Sequence, residues 1–167
     1  MSKKKTSFIL GIDPGDRKSG YVVYDEEKHQ VDVCGIEDNY SMLKLVEFHN
    51  FDEMAIEDIA HYGMPVGQTV FDTAKWAGRF AQKCYDISGA EPIFVKRQTV
   101  KSMICGSIKA KDANIRQALI DMFPKTGGGK NPVVGVNVKP GPLFGVKSHI
   151  WSALAIAITY SQIKNEP

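Results

Sequence analysis

Phe8-Ile9-Leu10-Gly11-Ile12-Asp13-Pro14-Gly15 is an apolar run that ends in a single carboxylate and a Pro-Gly pair. The run predicts a buried strand, and Gly20-Tyr21-Val22-Val23-Tyr24 predicts a second strand after a short loop, so we expect a hairpin. Burying Asp13 without a partner would be costly or would force its carboxyl to bind a proton. We therefore expect Asp13 to lie at the rim of the sheet and to face a cation or a ligand. An acidic residue that merely begins a loop would fit the same pattern.

Length and composition predict one globular domain over residues 1–167. A chain of 167 residues can bury a full core without disulfides or a structural metal. Its hydrophobic fraction of 43% and charged fraction of 24% are ordinary for a globular protein and argue against disorder. The net charge of +2 does not by itself indicate a nucleic-acid partner, so any such signal must come from where the charges lie.

The cysteines and the apolar runs predict a cytoplasmic protein with no membrane partner. Cys34, Cys84 and Cys105 are widely spaced and include no CxxC pair, which is typical of free or buried thiols in a reducing compartment. The apolar run after the basic start is too short for a signal peptide. No apolar run approaches the roughly 18 residues needed to span a bilayer.

The order of the predicted elements indicates an α/β fold with a mixed sheet and helices on its faces. Asp112 and Ser148 are the expected N-caps of the last two helices. Beyond the hairpin, strands are predicted at 31–36, 54–59 and 92–95, and helices at 40–48, 67–87, 112–122 and 150–163.

Residues 125–142 are rich in glycine and proline, and we expect them to form a mobile loop without regular structure beside a working site. Gly127-Gly128-Gly129-Lys130 could hold a phosphate, but no predicted strand leads into it and its spacing is not that of a P-loop. A linker is the alternative interpretation.

Candidate functional residues lie at the ends of two strands and at the start of the last helix. Glu57 follows the apolar run Met54-Ala55-Ile56, as Asp13 follows its own strand. Two carboxylates that converge at a sheet edge suit a hard cation such as Mg²⁺, and such ions used in pairs can activate water at a phosphodiester. His149 and Ser152 are three residues apart and so share one helix face. His149 could equally hydrogen-bond nearby backbone only.

A basic segment gives the chain a candidate phosphate-binding surface. Asp112 is the single acidic residue within it. Such a concentration of charge suits contacts with nucleic-acid phosphates, although a solvated helix face would look the same. The six basic residues are Lys96, Arg97, Lys101, Lys109, Lys111 and Arg116.

Taken together, these motifs resemble those of the RuvC-like Holliday junction resolvases, which have a ribonuclease H-like fold. The resemblance covers nearly the whole chain and implies a mixed five-stranded sheet flanked by helices. Residues 125–142 look like an addition, and with the string at 147–154 they are more similar to phage-type members than to the bacterial housekeeping enzyme. The matching motifs, in the family's order, are Gly11-Ile12-Asp13-Pro14-Gly15, Gly20-Tyr21, Ala55-Ile56-Glu57, Val100-Lys101, Gly106, Lys111-Asp112-Ala113 and Ala153-Leu154-Ala155-Ile156-Ala157-Ile158.

The resemblance implies roles for four positions. Asp13 matches the metal ligand of the first strand, Glu57 matches the second carboxylate, and His149 falls where members carry an acid or a histidine. These three are the expected ligands of Mg²⁺ or Mn²⁺, with two ions per subunit. Ser152 falls at a fourth catalytic position, where the family usually has an aspartate. A hydroxyl is neutral and a weaker ligand, so we expect the second ion to bind less tightly.

The implied activity is metal-dependent cleavage of four-way or branched DNA by a homodimer that makes paired, symmetric nicks. The resemblance also favours DNA as the partner of the basic segment, with Lys101 and Lys111 nearest the scissile phosphate. Two alternatives remain open at this point: a junction-binding protein that cuts poorly because of Ser152, and an RNA-directed nuclease of the same fold. An actin-like phosphotransferase would need two such domains, and this chain is too short for them.

Overall fold

A five-stranded mixed sheet in the order β3-β2-β1-β4-β5 forms the centre of the protein and confirms the predicted α/β fold. The computed structural model describes residues 7–167, so the basic start lies outside the described residues. A two-stranded sheet of β6 and β7 lies apart from the large one. The elements are β1 Phe8–Asp13, β2 Lys18–Asp25, β3 Gln30–Asp38, α1 Asn39–Phe48, β4 Glu53–Asp58, α2 Gln68–Ser88, β5 Ile93–Lys96, α3 Arg97–Cys105, α4 Asp112–Asp121, β6 Gly135–Val136, β7 Lys139–Pro140 and α5 His149–Asn165.

The pairing of β1 brings the two acidic strand ends side by side. β1 is antiparallel to β2, with Asp13 opposite Gly20, which confirms the predicted hairpin. On its other side β1 is parallel to β4, with Ile12 opposite Ile56. Parallel strands need a long crossover connection. Here that connection consists of β2, β3 and α1, and it leaves both carboxyl ends at one edge of the sheet.

Strand alternation divides the interior into two cores, one on each face of the sheet. Ile9 and Ala55 belong to the core beneath α3, α4 and α5. Leu10 and Ile56 belong to the opposite core, beneath α1 and α2. A Cβ atom at Gly11 would lie 2.4 Å from the carbonyl oxygen of Ala153, so the glycine is needed for α5 to pack directly on β1.

Four of the five helices were predicted, and α3 was not. The predicted helices correspond to α1, α2, α4 and α5 within a few residues at each end. α3 begins immediately after β5 and buries Val100 and Ile104. These two residues have the i, i+4 spacing of a helix face, but the surrounding basic residues obscure so short a pattern. None of the described helices is long and apolar enough to cross a bilayer.

Of the two predicted helix caps, the one for α4 is wrong, and the one for α5 is confirmed in position only. The N-cap of α4 is Lys111, whose backbone N–H donates to Asn114, and Asp112 is already inside the helix. Asp112 instead contacts Arg97 through its side chain. Ser148 is the N-cap residue of α5, but its φ of 47° and ψ of −128° depart from the extended geometry in which a serine caps a helix, and its side chain makes no capping bond.

The prediction that residues 125–142 lack regular structure is also wrong. They contain β6 and β7, and Val133 and Leu143 are buried in the core beside α5. A Cβ atom at Gly141 would lie 2.2 Å from the carbonyl oxygen of Val133, so backbone segments meet here where no side chain would fit. The glycines therefore allow close packing of this segment instead of leaving it open.

Candidate active site

Asp13 and Glu57 form an acidic pair at the end of neighbouring parallel strands. Since Ile9 and Ala55 point toward α5, strand alternation also points Asp13 and Glu57 toward α5. The two carboxyl groups lie close enough for one to donate a hydrogen bond to the other when it is protonated. Asp13 is therefore at the rim of the sheet, as the sequence predicted, and it faces a second acid directly.

Burial and mutual repulsion make this pair hard to ionise fully. Burial, with smaller contributions from the hydrogen bond to Asp13 and from the charge of Asp13, raises the pKa of Glu57 to about 8, although Arg97 opposes the increase. Burial also raises the pKa of Asp13, although the hydrogen bond to Glu57 and the charge of Arg97 oppose the increase. At neutral pH the pair therefore retains a proton unless a cation compensates its charge. Two oxygen donors in need of positive charge fit a hard divalent cation.

His149, at the start of α5, contacts the acidic pair through Asp13. Its Nδ1 atom lies 2.9 Å from Oδ2 of Asp13, and its side chain is 70% exposed. The residue opens α5, and a Cβ atom at Gly20 would lie only 2.8 Å from the backbone carbonyl of His149. The absence of a side chain on β2 therefore allows the start of α5, and with it the imidazole, to approach Asp13.

Arg97 links the acidic pair to α4. Its guanidinium lies 3.6 Å from Oε1 of Glu57 and contacts the carboxylate of Asp112. Because β5 pairs with β4, with Val95 opposite Glu57, the first residue of α3 comes directly beside that carboxylate. The sequence did not place Asp112 beside Glu57, and its place in the site follows from its contact with Arg97 of α3.

A cavity of about 390 Å³ opens beside the acids, between α3, α4 and α5. Glu57, His149 and Ser152 line it, so the structure brings the two predicted helix residues together with one of the acids. Of the six basic residues, Arg97 and Arg116 border this cavity. The other four do not: Lys96, Lys109 and Lys111 are exposed elsewhere on the surface, and Lys101 is half-buried in α3.

The predicted ligand set is incomplete as a preformed metal site. Asp13 contacts Glu57 and His149 separately, but within residues 7–167 no group of three or more His, Cys, Asp or Glu side chains converges closely enough for one ion. Ser152 adds a neutral hydroxyl to the cavity wall. The donor chemistry fits one divalent ion at the acidic pair better than it fits a second.

Comparison with known proteins identifies relatives of one kind. The crossover junction endodeoxyribonuclease RuvC of Nitratiruptor sp. is 28% identical over 169 residues, which cover 92% of this chain and 95% of the relative. The RuvC of Campylobacter jejuni subsp. jejuni serotype O:6 is 32% identical over 117 residues, which cover 61% of this chain and 72% of the relative. No protein-family model matches the chain.

Solved structures agree on the fold. Thermus thermophilus RuvC in complex with a Holliday junction substrate superposes with a TM-score of 0.64 at 17% identity, covering 95% of this chain and 96% of that one. A second structure of RuvC from Thermus thermophilus gives a TM-score of 0.59, with 94% of this chain covered. The predicted ribonuclease H-like fold is thereby confirmed.

Proposed function

Because the chain belongs to the RuvC family of crossover junction endodeoxyribonucleases, we propose that it resolves Holliday junctions or other branched DNA by hydrolysing one phosphodiester in each of two strands. The observation that carries the proposal is the pair of Asp13 and Glu57, with His149 on Asp13 and a cavity beside it that two arginines border. Such a site requires positive charge, and the two guanidinium groups beside it can contact phosphate oxygens.

The cofactor in this proposal is Mg²⁺ or Mn²⁺, with two ions per subunit. Asp13, Glu57 and His149 would hold the ions, and bound ions would supply an activated water and stabilise the leaving oxygen of the phosphodiester. Ser152 lies three residues after His149 in α5, and its hydroxyl is neutral, so this position offers no charged ligand to a second ion. We therefore expect the two ions to differ in affinity.

The protein's own side chains have distinct parts in this mechanism. Asp13 accepts a hydrogen bond from His149 Nδ1 when that nitrogen is protonated, which fixes the orientation of the imidazole. Arg97 and Arg116 offer cationic donors to DNA phosphates at the cavity mouth. When DNA approaches, the guanidinium of Arg97 can exchange its contact with Glu57 for a phosphate oxygen. Lys96, Lys101, Lys109 and Lys111 contribute contacts with more distant phosphates.

The proposed assembly is a homodimer on a four-way junction. A two-fold symmetric dimer presents two identical sites to a substrate of matching symmetry, so paired nicks follow from geometry. A cytoplasmic location belongs to the same proposal and is supported by the three free cysteines. The similarity of residues 125–142 to phage-type members stays a prediction.

A catalytically weak junction-binding protein is the second candidate function, because Ser152 lines the cavity where an acid was expected. This candidate predicts tight binding of a junction without cleavage, and a gain of cleavage in Ser152→Asp. The proposed resolvase instead predicts metal-dependent cleavage by the unaltered protein.

The deciding experiment is a nicking assay on a synthetic four-way junction with strand-specific labels, with and without Mg²⁺. We expect paired nicks in two strands, and a loss of roughly a hundredfold or more in Asp13→Asn and Glu57→Gln. Asp16→Asn is the matched control, since Asp16 is exposed in the loop just after Asp13. Cleavage that persists in both site variants would overturn the assignment. Faster cleavage of an RNA–DNA hybrid than of the junction would favour an RNA-directed nuclease.

A further inference from the structure

Residues 122–148, which we call the α4–α5 connection, carry a one-sided positive charge. They contain four lysines and no acidic residue. The whole chain has a net charge of +2, of which the connection contributes +4, so the remaining residues have a net charge of −2. A positive patch of this kind attracts an anionic partner more strongly than the net charge of the protein suggests. The four residues are Lys125, Lys130, Lys139 and Lys147.

The side chains of these four lysines are accessible to a partner. All four residues are exposed. Within residues 7–167, none of them forms an ion pair with a carboxylate. An external anion therefore does not have to displace an internal one, and it meets the full attraction of each ammonium group.

Backbone hydrogen bonds hold the α4–α5 connection in a compact arrangement. The amide of Gly128 donates to the carbonyl of Lys139 at 2.9 Å, and the amide of Gly127 donates to the carbonyl of Pro132 at 2.7 Å. Because these two amides are engaged within the protein, the connection would bind a phosphate through its lysine side chains. An ordered backbone also reduces the entropy that binding must remove, so the lysines are displayed at low cost.

The α4–α5 connection lies on the same face of the sheet as the side chains of the acidic pair. Val133 and Leu143 anchor it in the core beneath α3, α4 and α5, toward which the acidic pair also points. Lys147 precedes His149 by two residues, so their Cα atoms are at most about 7 Å apart. A DNA strand that reaches the acidic pair therefore has the connection beside it.

The small sheet of β6 and β7 extends the connection away from the core. Its two strands are joined by Asn137 and Val138, and Val138 is 94% exposed. Lys139 follows directly at the start of β7, and Lys130 lies five residues before β6. These two lysines are consequently carried on a projecting element, farther along the chain from His149 than Lys147 is.

We propose that the α4–α5 connection is a second DNA-contacting surface, whose four lysines bind phosphates of the duplex arm that leads away from the cleavage site. This inference rests on the proposed function, because that function supplies branched DNA as the partner. A duplex arm presents a dense row of negative charges, and lysines that neutralise them release bound counterions. Phosphate contacts carry no base sequence, but they fix the position and direction of the arm on the protein.

The first measurement is the affinity for a four-way junction over a range of salt concentrations, in an Asp13→Asn background that keeps the DNA intact. Adding Lys130→Gln and Lys139→Gln together should weaken binding roughly tenfold and reduce the salt slope by about 2, since each lost phosphate contact removes about 0.9. Lys44→Gln with Lys75→Gln is the control of equal charge. Both control lysines are exposed on α1 and α2, which cover the opposite face of the sheet, so the slope should stay unchanged.

The second measurement is hydroxyl-radical footprinting of the same complexes. The variant that lacks Lys130 and Lys139 should lose protection along a duplex arm and keep it next to the cleavage site, whereas the control variant should keep both. The inference is overturned if the footprint and salt slope match those of the Asp13→Asn protein, or if the control variant shows the same losses. Absence of any junction binding overturns it as well.

The two proposals fail in distinguishable ways. An unaltered protein that binds junctions but does not nick them in Mg²⁺ defeats the proposed function, while affinity and footprint still decide the role of the connection. An unaltered protein that nicks junctions, together with a lysine variant that binds them as tightly as its Asp13→Asn parent, defeats this inference alone.

Discussion

The Nδ1 atom of His149 lies 2.9 Å from Oδ2 of Asp13, although the two residues are 136 positions apart in the sequence. The contact joins the first residue of α5 to the last residue of β1. It brings the only imidazole in the cavity wall, within the described residues, next to an acid that also contacts Glu57. A substitution at His149 should therefore act on the acidic pair and not on the fold, because its side chain is largely exposed.

His149→Ala is expected to weaken metal binding and cleavage while leaving the protein folded. Removing the imidazole takes away one proposed ligand and frees the carboxylate of Asp13 to turn. We expect the Mg²⁺ concentration for half-maximal cleavage to rise roughly tenfold or more. The measurement is a Mg²⁺ titration of single-turnover cleavage, alongside thermal unfolding. His49→Ala, which removes an exposed imidazole at the end of α1, is the control. An equal effect in both variants would contradict a role specific to His149.

Without divalent metal, the free energy of unfolding should fall as pH rises from about 4.5 to about 8. The pKa of Glu57 is about 8 in the folded protein, against an ordinary value of 4.5. Between these pH values the unfolded chain has released a proton that the folded protein still holds, so raising the pH favours unfolding. The measurement is thermal unfolding across this range in the presence of a chelator.

Glu57→Gln should flatten this pH dependence, since its amide does not titrate. Glu27→Gln is the control because Glu27 is exposed. Added Mg²⁺ should flatten the dependence of the unaltered protein as well, since a bound cation compensates the ionised pair. A slope that is the same in Glu57→Gln and in the unaltered protein would falsify the assignment of this titration to Glu57.

Ser152→Asp is expected to strengthen binding of metal and to lower stability in its absence. The new carboxylate would enter the cavity that Glu57 and His149 already line. A further charged oxygen ligand should lower the apparent dissociation constant for Mn²⁺ by roughly tenfold. Isothermal titration calorimetry with Mn²⁺ measures this directly, and Ser152→Asn is the neutral control of nearly equal size. Equal affinities in the two variants would show that position 152 does not contact the ions.

Gly20→Ala should disturb the site through the backbone. Its Cβ would lie 2.8 Å from the carbonyl carbon and oxygen of His149, so the start of α5 would have to move. We expect slower cleavage and a loss of about 1–3 kcal/mol in unfolding free energy. Gly78→Ala is the matched control: a Cβ there has no atom within 4 Å. Gly78 lies within α2, where replacing glycine by alanine should raise the free energy of unfolding by roughly 0.5–1 kcal/mol. Stability and junction cleavage of both variants check the prediction.

Lys164→Met should destabilise the end of the molecule opposite the site. Lys164 Nζ lies 2.8 Å from Oε2 of Glu26 and 3.0 Å from Oε1 of Glu53, and its side chain is 21% exposed. Its removal leaves two partly buried carboxylates without a counter-charge, at a cost of about 2 kcal/mol. Lys75→Met is the control, since its pair with Asp72 is exposed and contributes little. Chemical denaturation measures the difference, and equal losses in the two variants would contradict it.

The local sequence pattern was sufficient to predict most of the helices and strands, but it did not predict the tight contacts between them. The apolar run before Asp13 and the spacing in α2 and α5 predicted the correct structure, because alternation and helical periodicity are properties of neighbouring residues. Residues 125–142 were predicted wrongly because their glycines allow stretches of this segment's own backbone to pack closely against one another. Such contacts leave no periodic signal.

The amino-acid sequence by itself determined which chemical groups the protein carries at its strand ends. Asp13 and Glu57 each follow an apolar strand, and that alone identified them as candidate ligands, because an acid in such a position needs a partner. The tertiary structure decided which residues are the partners of these two acids. Parallel pairing of β1 with β4 made the two acids neighbours, and the start of α3 and α4 joined Arg97 and Asp112 to the site. These contacts depend on strand register and helix packing, which no local pattern encodes.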